Sequence, residues 1–333
     1  MNIEAANLGG KGDRRQRTIW QRASRSPAES LWNLEGESLR AVLARTWKAV
    51  IDDRLFGHAA ELGFYFLFAL FPTLFCAGSI LGLAARSAKQ IYDSLLDYLA
   101  LVIPTSALGT VLSTFNETTS AATSNKATFG LIAAIWSASV GVSAIQDTLN
   151  VVYKIEESRS YFVARIYAIG LTILLTVIVT LLLAALLGAD YAAELESLRI
   201  HNRFLAMTAT LITRAIGWIV ANLLLTLFFA VIYFWAPDSK TRRWLWLTPG
   251  GTLGILGWLV ASLGLRVYLH YFNTYSVSYG SLGAVIILLT WFYITGLMLL
   301  VGAEINSEIE GVIADNRLRK SSRSALQIPT SFS

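Results

Sequence analysis

The sequence predicts an all-α, polytopic membrane protein with six transmembrane helices. Six stretches lack any Asp, Glu, Lys or Arg over a length that crosses a bilayer, and the first of them covers residues 62–85. A helix rises about 1.5 Å per residue, so ~20 residues match a hydrocarbon core of ~30 Å. The composition agrees, with 55% hydrophobic and 15% charged residues, whereas a soluble chain typically carries about 25% charge.

The Lys and Arg residues orient the spans with both termini in the cytoplasm. On this orientation 20 of the 27 basic residues lie inside, which is the bias that sets membrane topology. We expect a basic cytoplasmic N-terminal region at residues 1–57, without a cleaved leader, and a disordered cytoplasmic tail at residues 305–333. The six-helix domain covers residues 58–304, with spans near residues 58–85, 127–147, 164–188, 212–235, 245–267 and 280–303.

The segment between the first two spans has amphipathic character. Apolar residues recur at helical spacing from Ile91 to Val102 and from Leu108 to Phe115, with Pro104 between the two stripes. The pattern predicts two short extracytoplasmic helices that lie on the outer leaflet or cap the bundle. A compact hairpin that packs on itself is the alternative. The basic stretch at residues 11–17 favours attraction to anionic lipids over nucleic-acid binding.

Polar residues within or beside apolar spans are the candidates for function, because they are costly in lipid and usually face the bundle interior. In the first span, Glu61 with the helix-kinking Pro72 is compatible with a gate or a proton site, and an acid at the membrane interface is the preferred interpretation. For Gln146, Asp147 and Asn150 near the end of the second span, helix capping or packing is preferred over contact with a substrate. The candidate substrate path or gate comprises Glu61, Tyr65, Pro72, Gln146, Asp147, Asn150, Tyr275, Tyr279, Gly280, Glu304 and Asn306.

Aromatic and glycine residues have simpler interpretations. Tyr275 and Tyr279 stand at the outer end of the last hairpin, where such rings anchor at headgroup depth, and stacking on a headgroup is the alternative. Gly250 and Gly254 form a small-xxx-small pair that favours close helix packing, with dimerisation as the weaker hypothesis.

No catalytic, metal or cofactor site is indicated. The three histidines are far apart and fit no zinc-ligand pattern, and no nucleophile–base pair stands out. We therefore expect neither an enzyme nor a nuclease, and no nucleic-acid partner. Cys76 is alone, so an intramolecular disulfide is excluded.

Three motifs resemble those of the YihY/BrkB family of bacterial inner-membrane proteins, formerly described as ribonuclease BN. They are AELGFYFLFALFP at residues 60–72, QDTLN at residues 146–150, and YSVSYGSLGAVIILLTWFYITGLMLLVGAEIN at residues 275–306. The resemblance extends from about residue 42 to residue 310. It implies a six-helix core and a link to envelope integrity, with an unsettled molecular activity. Some relatives carry a small residue where Glu61 stands here, which argues against a universal proton role for that acid.

Two hypotheses about function follow. The first is a transporter or flippase for a lipid or another amphipathic envelope molecule, guided by polar residues at both mouths. The second is a non-catalytic membrane scaffold that binds other envelope proteins or a second copy of the chain, as the shortage of central polar residues suggests. The fourth span has no counterpart of Glu61 and Pro72, so the inverted repeats of many transporters are not evident.

Overall fold

A computed structural model describes residues 39–84, 124–199, 202–239, 244–271 and 281–326, together with residues 109 and 113; at some helix ends only the backbone is described. Within these ranges the chain forms α-helices and no strand. The seven helices are α1 (Leu39–Asp52), α2 (Leu55–Ala84), α3 (Ser124–Val152), α4 (Tyr161–Arg199), α5 (Arg203–Trp235), α6 (Pro249–Tyr271) and α7 (Ser281–Leu326).

Five of these helices, α3 to α7, are long and apolar enough to cross a membrane. In α2 the apolar segment with described side chains, Leu55–Leu70, is shorter, although the helical backbone continues to residue 84. The outward faces of the long helices are apolar, as at Ile173, Leu211 and Leu263, which are at least half exposed. Exposed aliphatic side chains in such numbers are suited to lipid rather than to water.

The helix boundaries follow local capping chemistry. The side chain of Asn202 accepts hydrogen bonds from the backbone N–H groups of Phe204 and Leu205, which caps the start of α5. At the start of α6, Thr248 accepts from the Gly251 N–H at 3.0 Å, and proline follows directly at the first helical position, where its missing N–H costs little. At the end of α3, Lys154 has a φ of 54° and closes a Schellman motif, with the Ile155 N–H donating to the Asn150 carbonyl at 2.8 Å.

The core forms where α2, α3 and α7 meet, around the fully buried Leu62, Leu149 and Leu300. Helix α4 packs on α5 and on α3, and α6 packs on α7. The backbones of α6 and α7 approach each other closely at Gly250. A methyl group added there would overlap the Gly302 carbonyl oxygen. The small-residue contact that the sequence indicated in α6 therefore lies against α7 within the same chain.

Helix α7 corrects the predicted domain boundary at residue 304. Its 46 residues extend ~69 Å at 1.5 Å per residue, more than twice the thickness of a hydrocarbon core. Residues 305–326 are helical, so the expected disorder from residue 305 is wrong for that segment. The reason is packing, because Ile305, Ile309 and Ile313 form a buried cluster with Val42 of α1. Helix α1 itself lies in the N-terminal region for which no structured element was predicted.

Other predicted boundaries shift in the same direction. Helix α4 continues to Arg199, beyond the predicted end of the third span at residue 188, and α5 begins at Arg203, before the predicted start of the fourth span at residue 212. The expected outer helices at residues 91–115 lie outside the described residues apart from positions 109 and 113, and the basic stretch at residues 11–17 lies outside them entirely.

Candidate functional site

Charged and polar side chains collect at one end of the bundle, which we call the polar end. It is formed by Asp53, Asn150, Lys154, Glu157, Arg159 and Asp238. These residues come from the α1–α2 turn, the end of α3, the α3–α4 loop and the segment after α5. The polar end therefore joins segments that are far apart in sequence.

A hydrogen-bond network centred on Asn150 holds two loops of the polar end together. Its side-chain amide donates to Glu157 Oε2 at 2.8 Å, and its Oδ1 accepts from the Asp238 N–H at 2.8 Å. Asp238 Oδ2 accepts from the backbone and the hydroxyl of Ser158 at 2.7 and 2.6 Å. Because both functional groups of Asn150 are engaged, the side chain has a structural role at this junction.

Arg159 completes this network as its central cation. Its Nε donates to Glu157 Oε1 at 2.7 Å, and one terminal nitrogen donates to Glu157 Oε2 at 2.7 Å. These bonds lower the pKa of the Glu157 carboxyl below its ordinary 4.5 and raise the pKa of the Arg159 guanidinium. Bidentate arginine–carboxylate pairs are among the stronger polar contacts, so the α3–α4 loop is firmly held.

Lys154 links α1 to the end of α3. Its ammonium pairs with the Asp53 carboxylate, and the carboxylates of Glu304, Glu308 and Asp52 also attract it. Burial nevertheless lowers the pKa of Lys154 below its ordinary 10.5. The result is a partly desolvated cation facing several acids of α1 and α7.

Glu304 is the most unusual side chain in the described bundle. It lies on α7 with 0% of its surface exposed, and neither carboxylate oxygen has a hydrogen-bond partner among the described residues. Lys154 attracts the carboxylate and Glu308 repels it. Since burying an unsatisfied charged group is expensive, this position calls for a reason beyond packing.

Gln146 of α3 provides a second buried polar group at similar depth. It is 2% exposed, and its Nε2 has no partner in the described part of the chain. Ser307 of α7 donates to the Val152 carbonyl of α3 at 2.8 Å, and both helices approach the polar end with their C-terminal halves. Counting back from that contact places Gln146 and Glu304 within about one helical turn, or ~5 Å, along the bundle axis.

Asn306 instead caps a neighbouring helix. Its Oδ1 accepts from the Gly250 N–H at 2.8 Å, and its Nδ2 donates to Thr248 Oγ1 at 3.0 Å. One N–H group left unpaired at the start of α6 is thereby satisfied from α7. The structure assigns this contact to the side chain, and the predicted place of Asn306 in a substrate path stays a prediction.

The remaining candidates are scattered. Glu61 is exposed and lies 3.5 Å from His58 Nδ1, one turn earlier on α2, and its charge repels that of the exposed Asp147. Tyr65 packs at the edge of the core. Residue 72 lies within the α2 helix, but its side chain is outside the described part, as are Tyr275, Tyr279 and Gly280 altogether.

Sequence reasoning missed the pairing at the polar end. Lys154 and Arg159 were counted only among the basic residues that orient the spans, and Asp238 only marked the end of an uncharged stretch. Their partners lie up to 101 positions away, so no local pattern could have shown them. Among the described residues, no group of three or more His, Cys, Asp or Glu side chains could hold a metal ion.

Comparison with known proteins gives a consistent assignment. The family described as Virulence factor BrkB matches residues 46–326. The ribonuclease-like protein YfkH of Bacillus subtilis (strain 168) is 34% identical over 251 residues, which cover 75% of this chain and 88% of that protein. The family description names a virulence factor and the name of the relative refers to a ribonuclease. The ribonuclease-like name belongs to that relative.

Further relatives are named only as membrane proteins. A UPF0761 membrane protein of Xanthomonas oryzae pv. oryzae (strain PXO99A) is 27% identical over 288 residues, covering 86% of this chain and 63% of that protein. One from Stenotrophomonas maltophilia (strain K279a) is 26% identical over 274 residues, covering 79% and 59%. The chain thus spans about three fifths of these longer relatives, and no solved structure matches it. With its apolar helices and a family match over most of its length, the chain is a membrane protein that belongs to the virulence factor BrkB family.

Proposed function

We propose that this protein is a transporter or flippase that moves a lipid or another amphipathic molecule across the bacterial inner membrane. The observation that carries the proposal is the carboxylate of Glu304, fully buried with no hydrogen-bond partner in the described bundle. Ionisable groups at such positions are retained in membrane helices mainly where they serve a path for ions or substrates.

The proposal includes six spans with both termini in the cytoplasm. Contacts at the polar end support this arrangement, because they join the start of α2, the end of α3, the start of α4 and the end of α5. These are the segments that the Lys and Arg distribution assigns to the cytoplasm. With α2 as the remaining span, the chain crosses the bilayer an even number of times.

The chemistry of the site suits a polar headgroup. Glu304 offers unsatisfied acceptors and Gln146 offers an unsatisfied donor at similar depth. A headgroup that carries both a cationic or donor group and an acceptor would satisfy both side chains. Because Glu304 is fully buried, such a ligand reaches it only when α7 separates from its neighbours, as alternating access requires.

Lipid translocation in sealed proteoliposomes tests the proposal. Fluorescent lipids are reconstituted with the protein, and a membrane-impermeant quencher reports the fraction that reaches the outer leaflet. We expect translocation with the unmutated protein and its loss with Glu304→Gln, while the exposed acid change Glu156→Gln leaves it intact. Glu61→Gln and Pro72→Ala, run in parallel, test the first span.

The stability of Glu304→Gln separates function from folding. The amide is isosteric and removes the cost of a buried charge without breaking any hydrogen bond among the described residues. Thermal stability should therefore be unchanged or higher although translocation is lost. Vesicles with unmutated protein that behave like empty vesicles would refute the flippase proposal.

A non-catalytic envelope scaffold is the alternative, and one observation favours it. The α6–α7 contact is locked by backbone-to-backbone approach at Gly250 and Gly302, which resists the relative motion that transport needs. In-cell photo-crosslinking from exposed sites on α4 and α5 tests this alternative. A defined protein partner, together with inactive vesicles, would favour the scaffold.

A further inference from the structure

Helix α1 presents three distinct faces. One face is buried and packs through Val42 on α7, as part of the cluster with Ile305, Ile309 and Ile313. A second face is apolar yet open, with Leu43, Trp47 and Ile51 exposed by 47%, 65% and 51%. The third carries charged residues, among them Lys48 and Asp52. A helix surrounded only by protein and water would not be expected to expose the apolar side chains of the second face.

The open apolar face is a continuous stripe. Leu43, Trp47 and Ile51 are four residues apart, and each such step turns the helix by ~40°, so the three side chains occupy an arc of about 80°. That arc lies between the face that packs on α7 and the charged face of Lys48 and Asp52. Such a three-part division is typical of a helix that rests on protein, lipid and water at once.

Charge around the stripe is mainly basic. Arg40, Arg45 and Lys48 lie on α1 and Arg54 follows it, while the nearby acid Asp53 is already paired with a lysine. Basic side chains and a tryptophan beside an apolar stripe suit the boundary between anionic headgroups and acyl chains. A second copy placed face to face through a twofold axis would bring these cations together, so lipid fits the face better.

Exposed apolar residues also follow the stripe along the chain. Only residues 53 and 54 separate α1 from α2, and Phe56 in the first turn of α2 is 41% exposed. Farther along α2, Phe64 and Phe68 are exposed by more than half. Exposed apolar side chains thus continue in sequence from the stripe into α2, the predicted first span.

We propose that α1 is an in-plane membrane helix whose Leu43–Trp47–Ile51 stripe enters the headgroup–acyl boundary of an anionic leaflet, on the side of the polar end. The buried face then fixes α1 to the protruding part of α7, and the stripe fixes the same helix to the lipid surface. This surface is separate from Glu304, and it stands whether or not the protein moves a substrate.

Depth-dependent fluorescence quenching tests this placement on the full chain in nanodiscs. In a Cys76→Ser background, a bimane label is attached through Leu43→Cys, Trp47→Cys or, as control, Lys48→Cys. All three positions are exposed, so the labels leave the packed face of α1 intact. The discs contain phosphatidylglycerol and phosphatidylcholine with brominated acyl chains, and each labelled variant is checked for unchanged thermal unfolding.

We expect quenching at positions 43 and 47 to exceed that at position 48 roughly threefold, because an in-plane helix buries its apolar face ~5–10 Å into the boundary. Quenching at the stripe should also fall when phosphatidylcholine replaces phosphatidylglycerol. Equal quenching at all three positions would overturn the proposal. Protection of the stripe from aqueous iodide only in discs that hold two copies would also overturn it, because the occupant would then be a second chain.

Discussion

Replacing Gly250 with alanine probes a close backbone contact between α6 and α7. The added methyl carbon would overlap the Gly302 carbonyl oxygen and would lie 2.6 Å from Asn306 Oδ1 and 2.7 Å from its Cγ. The Gly302 carbonyl oxygen belongs to the backbone, so this overlap is relieved only if α6 and α7 move apart. Overpacking of this kind costs about 1–3 kcal/mol.

Displacement of the Asn306 side chain destabilises Gly250→Ala further. Asn306 accepts the Gly250 N–H at 2.8 Å, and displacing that side chain leaves a buried donor unsatisfied, which costs about 1–3 kcal/mol. The better helix propensity of alanine offsets at most ~1 kcal/mol of this loss, and it offsets less at a position so close to the helix start. We therefore expect Gly250→Ala to destabilise the fold by about 2–4 kcal/mol.

Two glycines on the same helix supply matched controls. An alanine methyl at Gly254 would meet its nearest atom, the Met298 carbonyl oxygen, at 3.2 Å, and one at Gly264 would meet nothing within 4 Å. Thermal unfolding in detergent, followed by tryptophan fluorescence, should rank Gly264→Ala at or above the unmutated protein, Gly254→Ala below it and Gly250→Ala lowest. An unfolding temperature of Gly250→Ala equal to that of the unmutated protein would contradict the close approach of α6 and α7 at Gly250.

Three further predictions concern other contacts. Asn306→Ala should lower stability by about 1–3 kcal/mol because it leaves the Gly250 N–H unpaired; a midpoint of thermal unfolding equal to that of the unmutated protein would contradict the capping role. Tyr233→Phe removes a 2.8 Å bond to a backbone carbonyl of α7 and should cost ~0.6 kcal/mol in detergent; a loss above that of Asn306→Ala would contradict this ranking. The lowered pKa of Glu157 makes its contribution to stability complete above about pH 4.5, and that contribution is lost as the pH falls through the folded-state value. Glu157→Gln should flatten this part of a Tm-against-pH curve, and an unchanged curve would contradict the pairing with Arg159.

The helical spans were predictable because lipid exposure is a local property of the chain. Every described span overlaps its predicted range, and all of them except α6 are longer than predicted, as α4 shows by continuing from the predicted end at residue 188 to Arg199. A rule based on uncharged length finds the part of a helix that lipid surrounds. It does not find the polar turns that continue the helix into water, nor the extension of α7 that α1 covers.

The candidate site was predictable only in part. Glu304 and Gln146 stood out as polar groups next to apolar runs, and both are buried with unsatisfied atoms in the described bundle. Glu61 stood out for the same reason and is exposed. Whether a polar side chain in a span faces protein or lipid depends on the neighbouring helices, which one helix's sequence does not specify.

The sequence by itself determined the class of this protein: helical, embedded in a membrane and a member of its family. The free energy of transferring a segment into lipid is summed residue by residue, so it can be read without knowing the fold. Only the tertiary structure decided that Asn306 caps α6, that Lys154 pairs with Asp53, and that α1 covers the far end of α7. These are pair interactions between residues 50 or more positions apart, and their energies depend on distances that packing alone sets.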